Sequence, residues 1–149
     1  MAATPHPPIR TATMTTKHLA AWAATFLVMA LIDSLWLGVI AKSLYQQGLG
    51  HLMASEPKLG FAALFYLLYP VGLVFFAVLP GAEAASLART ALLGALLGLF
   101  AYATYDLTNL SIMKGWPLGL SLLDMAWGTF ASGVAATAGG AALRWMGGR

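Results

Sequence analysis

Four stretches of the chain, roughly 19–41, 59–79, 87–110 and 117–145, stay apolar for long enough to cross a bilayer, whose hydrocarbon core takes about 20 helical residues. In hydrocarbon a backbone polar group finds no water, so each stretch must satisfy its own N–H and C=O groups as an α-helix. The expected fold is therefore an all-α membrane protein, a four-transmembrane-helix bundle with both termini on the same side. Prolines punctuate it: Pro57 precedes the second span, Pro80 closes it, and Pro117 stands at the first turn of the fourth. The longest connection, 42–58, carries Gly48, Gly50, His51, Glu56 and Lys58 and suits an interfacial loop or a short helix.

Charge is scarce and segregated. Of 149 residues, 60% are hydrophobic and 9% charged, less charge than a soluble domain carries. Arg10, Lys17, Arg89, Arg144 and Arg149 fall on the side of the termini; Lys42, Lys58 and Lys114 fall on the other. That bias puts the termini in the cytoplasm and reads as membrane topology, with no nucleic-acid partner. The absence of cysteine removes disulfides, thiolate nucleophiles and thiolate metal sites. Residues 1–16 are proline-rich and without periodicity, a disordered N-terminal tail ahead of a single transmembrane domain at 17–149. Met14 is an alternative start, which would make that tail a gene-start artefact. The first apolar stretch is too long for a signal-peptide core and contains Asp33, so it is read as a retained helix.

The acids are placed the other way round. All three aspartates, Asp33, Asp106 and Asp124, lie inside spans, while Glu56 and Glu83 lie in loops. Counted from the span ends at about 1.5 Å per residue, the three carboxyls sit on the order of 6–12 Å below the non-cytoplasmic surface, on three different helices. One shared site is the expectation. Tyr102, Asp106 and Asn109 follow i, i+4, i+7 spacing and share a face, which continues back through Gly98 and Gly94 as a close-packing seam. Asp124 aligns with Trp127, Gly128 and Ser132, and Asp33 with Trp36. Tyr66 and Tyr69 reach a similar depth on the second span, where Pro70 is expected to kink the helix and free the carbonyl of Tyr66. Asp-x-x-Trp occurs twice, as Asp33–Trp36 and Asp124–Trp127, on helices running in opposite directions. By helical rise alone, one indole would lie above the acids and the other below.

Each aspartate costs about 2.5–3.5 kcal/mol to bury at mid-membrane, and no Lys, Arg or His lies deep in a span to offset it. Such carboxyls hold protons, share them, accept from Tyr and Trp, or bind a cation from outside. A set of Asp33, Asp106, Asn109 and Asp124 has the oxygen ligands of a hard-cation site, although no metal and no cofactor is assigned.

The segments "IDSLWLGVIAKSLY" (32–45), "FYLLYPVGLVFFAVLP" (65–80), "GLFAYATYDLTNL" (98–110), "KGWP" (114–117) and "DMAWGT" (124–129) resemble a bacterial family of small membrane proteins, domain-of-unknown-function family 2177. The resemblance runs over about 17–145. It implies four transmembrane helices in a bacterial inner membrane and a motif-rich set that includes Tyr105 and Trp116, with no assigned activity.

Two functional classes and a structural one are open. The first is binding or transport of a proton, cation or small polar ligand in an acidic–aromatic pocket made by Asp33, Trp36, Tyr66, Tyr69, Tyr102, Tyr105, Asp106, Asn109, Asp124 and Trp127. A transporter this short would work as a homo-oligomer. The second is an intramembrane enzyme on a lipid or isoprenoid, with one Asp as acid and another as base, the catalytic member being unassigned. In the third, the polar residues only lock helices together, at about 0.6 kcal/mol per contact, and Gly133, Gly139 and Gly140 mediate oligomerisation.

Overall fold

The computed structural model describes residues 16–147. It consists of five helices: α1 (Thr16–Ile40), α2 (Lys42–Leu49), α3 (Leu59–Glu83), α4 (Leu87–Ile112) and α5 (Leu118–Gly147). All but α2 are long and apolar enough to span a membrane. At 25 to 30 residues they exceed the hydrocarbon core and extend into both interfaces. The reading of 1–16 as a tail falls almost wholly outside the described residues; Thr16 itself opens α1.

The four long helices alternate in direction. Two connections, 41–58 and 113–117, therefore lie at one end of the bundle, called here the loop end. The α3–α4 turn lies at the other. Large apolar side chains point outward: Leu31, Phe61, Phe100 and Ile112 are all more than 60% exposed, as suits a lipid-facing surface. The interior is built from small residues, among them Ala21, Thr25, Ala77, Ala131, Ser132, Ala135 and Ala136. Between helices already bathed in hydrocarbon, close backbone approach and interhelical hydrogen bonds supply the packing energy.

Helix α5 is the centre, packed along α4 and α1. Its seam with α4 bears out the Gly94–Gly98 expectation: a Cβ at Gly94 would meet the side chain of Ala136, and one at Gly98 the carbonyl of Gly128. Gly139 lies against Thr25 of α1, Gly140 against Leu87 and Thr90, and Gly133 against Ala91 and Ala95. These three glycines are consumed within the bundle, which corrects the expectation that they face a second copy.

Helix α3 stands apart. It packs on α4 chiefly from Val74 onward, and the pair is pinned at the turn, where Gly81 lies under Thr90. The turn is held by Ala85 in the left-handed region (φ 50), whose carbonyl accepts from Arg144 at 2.7 Å, and by Ser86, which caps α4 by accepting from the Arg89 N–H at 3.1 Å. From there α3 and α4 diverge toward the loop end. Pro70 is inside α3 as expected, followed by a π-turn at Val74–Val78. The helix does not stop at Pro80. The α-helical register restarts at Leu79 after the π-turn, and Pro80 falls in that first turn, where no N–H is needed. A second π-turn, Trp36–Ile40, ends α1, with the Ala41 N–H donating to the Trp36 carbonyl at 2.7 Å.

Candidate functional site

The acids converge in level. Asp33 is seven residues from the loop end of α1, Asp106 six from the end of α4, and Asp124 six from the start of α5. All three are buried, Asp33 and Asp106 each at 2% exposure. Their surroundings differ.

Asp33 is satisfied. Its Oδ1 accepts from the Trp127 indole N–H at 2.8 Å and its Oδ2 from the Tyr66 hydroxyl at 3.3 Å, which ties α1 to α5 and α3. The Trp127 ring stacks face to face on Trp36, with centroids 4.3 Å apart and planes 4° from parallel. The two indoles thus do not bracket the acids from above and below, as helical rise alone suggests. Side chains lean toward the N-terminus of their own helix. Trp36 on the outgoing α1 leans deeper, Trp127 on the returning α5 leans toward the loop end, and the rings meet.

Asp106 and Asp124 form a separate pair across the α4–α5 seam, their carboxyls within direct interaction range. Asp106 faces Ser121 and Trp116 as well, and the Trp116 N–H donates to the Ser121 hydroxyl at 3.0 Å. Yet Asp106 Oδ2 is fully buried without a hydrogen-bond partner among the described residues. The Oδ1 of Asp124 accepts from the hydroxyl of Tyr45 on α2. Burial first, then the Asp124 carboxylate, pushes the Tyr45 phenol above its ordinary range and keeps it a donor. Trp36 Nε1 is the second buried polar atom without a well-formed hydrogen bond among the described residues, although Trp36 lies close enough to Tyr45 to act on its phenol.

Aromatic rings line the way to this pair. Tyr102 lies across Gly128, where any Cβ would collide with its ring, and feels the charges of both Asp33 and Asp124. Tyr69 shares a 2.9 Å hydrogen bond with Ser132 and stacks on Phe65. A cleft of about 320 Å³ is lined by Phe65, Tyr69, Ala101, Tyr102, Tyr105 and Asp124, in the gap between the diverging α3 and α4. Tyr105, 53% exposed, stands edge-on to Trp116 at its rim.

Of the ten residues expected in one pocket, the structure places Tyr69, Tyr102, Tyr105 and Asp124 on this cleft and Asp106 behind it. Asp33, Tyr66, Trp36 and Trp127 form an adjoining polar–aromatic layer. Asn109 is half-buried near the end of α4, and no hydrogen bond joins its side chain to an acid among the described residues. The four-ligand hard-cation site is not formed: no three carboxyl or imidazole groups converge among the described residues, because Asp33 is turned to its two donors. Sequence reasoning missed Tyr45 and Ser121. Ser121 shares a helix face with Asp124 at i+3 spacing, a signal that was available. Tyr45 lies on a short helix whose docking no periodicity reveals.

The family model described as "Predicted membrane protein (DUF2177)" matches residues 18–141, and the chain belongs to that family. No curated protein and no solved structure matches it.

Proposed function

We propose that this member of the DUF2177 family binds a small organic cation at the Asp106–Asp124 pair, reached through the cleft between α3 and α4. The observation that carries this reading is the buried, unpartnered Oδ2 of Asp106 beside a second carboxyl. A lone acceptor in a low-dielectric interior costs about 1–3 kcal/mol, and two neighbouring carboxyls are relieved either by a shared proton or by a positive charge beside them. Among the described residues, no Lys, Arg or His interacts with either. Tyr69 and Tyr102 supply ring faces and Asp124 supplies charge, the combination that recognises an ammonium group. The Lys and Arg distribution favours a cytoplasmic location for the termini, so the cleft opens on the outer half of a bacterial inner membrane.

The test is equilibrium binding of methylammonium to the protein in phosphatidylcholine nanodiscs. Asp106→Asn and Asp124→Asn are each expected to weaken binding by at least about tenfold, the loss of one charged partner, while Asp33→Asn leaves it nearly unchanged. Unaltered binding in both pair variants, or none by the wild type, rejects the reading.

A further inference from the structure

The cleft does not end at its aromatic wall. Phe65 and Tyr69, which line the acidic side, also line a second groove of about 490 Å³ that follows α3 from Phe61 and Leu64 past Leu68 and Gly72 to Phe76, with Leu97 of α4 as its far side. Its stretch from Tyr69 to Phe76 follows α3 for about 10 Å, away from the loop end and past the middle of the helix. Apart from Tyr69 its walls are apolar. It exists because α3 and α4 are pinned at Gly81–Thr90 and diverge above, leaving a lateral opening where two spans would otherwise touch. Gly72 keeps it open: a Cβ there would meet nothing within 4 Å, so a larger residue would occupy the groove and not the core.

From this continuity we infer that the ligand is a long-chain amine, a membrane amphiphile whose ammonium head sits against Asp124 and whose alkyl chain lies in the α3–α4 groove. The inference rests on the binding reading above and adds the chain and the route: entry is sideways, from the bilayer. The head carries no phosphate, because among the described residues no basic side chain lines either cleft and a phosphate would face Asp124 unscreened. Chain length then sets affinity. For a chain that comes from the bilayer the gain per methylene comes from fit alone.

The experiment uses hexadecylamine carrying a photoactivatable diazirine in its chain, in phosphatidylcholine nanodiscs, with cross-links mapped by mass spectrometry. Labels are expected on α3 between Leu68 and Phe76 and on α4 near Leu97. Unlabelled hexadecylamine should compete; hexadecanol and phosphatidylethanolamine should not. Gly72→Leu should lower labelling by about tenfold without lowering methylammonium binding, and Asp124→Asn should lower both. Labels spread evenly over the lipid face, or full labelling of Gly72→Leu, would overturn the groove while leaving the acidic pocket standing. Labelling and methylammonium binding both indifferent to Asp124→Asn would overturn the pocket as well. Competition by hexadecanol would make the head a neutral donor and remove the amine; competition by phosphatidylethanolamine would remove the phosphate-free requirement.

Discussion

Asp33 and Asp106 are the same residue type, equally buried and a similar distance from the loop end, yet they do opposite things. Asp33 accepts two hydrogen bonds from two other helices, one on each oxygen. Asp106 keeps an oxygen unpaired against a second carboxyl. On the proposed reading, the acid whose two oxygens both have donors is a strut, and the acid that keeps an unpaired oxygen is the binding group. Burial and depth, the quantities that helical arithmetic supplies, do not separate the two. The partners do.

The comparison breaks most visibly on removal of each acid. Asp33→Leu orphans the Trp127 N–H and the Tyr66 hydroxyl together, and is expected to cost up to about 2–6 kcal/mol, the sum for two unpaired donors on half-buried side chains. Asp106→Leu removes a carboxyl of which one oxygen is already unpaired, so its cost is expected to be the smaller of the two, with ligand binding lost. Reversible unfolding in mixed detergent micelles measures both, and equal destabilisation would erase the distinction. Next in size is Tyr45→Phe, which takes the donor from Asp124 and loosens α2, at about 1–3 kcal/mol for leaving a buried acceptor unpaired. Lys42 and Lys58 flank that connection, so faster trypsin cleavage there is the readout; an unchanged rate would show that the phenol does not hold α2. The smallest effect concerns the layer beside Asp33. Trp36→Leu removes the indole stack and should cost about 0.5–1.5 kcal/mol beyond lost area, while Trp127 still reaches Asp33.

The bundle itself was legible because hydrocarbon leaves so few options: run length gives the spans, and the Gly94–Gly98 spacing gives the α4–α5 seam. The Asp33–Tyr66 contact was within reach of the same counting, since both residues fall at one level on neighbouring helices. The indole stack was not, because rise per residue locates Cα atoms and says nothing of the lean of a long side chain. Tyr45 was hidden for a different reason. Its position depends on how α2 folds back over the start of α5, where Gly48 lies against Pro117 and Leu120, a tertiary fact without a periodic signature. The polar run around Asp106 resolves in the same way. Thr104, Thr108 and Ser111 face outward and donate to carbonyls of their own helix, so they need no partner and mark no site. Only the buried member of that run is left wanting.

The most direct test of that difference is footprinting with an apolar carbodiimide, which enters the bilayer and modifies protonated carboxyls, read by peptide mass spectrometry. The account predicts one adduct per protein, on Asp124 at the cleft or on Asp106 with which it can share a proton, suppressed by hexadecylamine, with Asp33 unmodified. Modification of Asp33 first, or of all three acids alike with no protection by the amine, would contradict it.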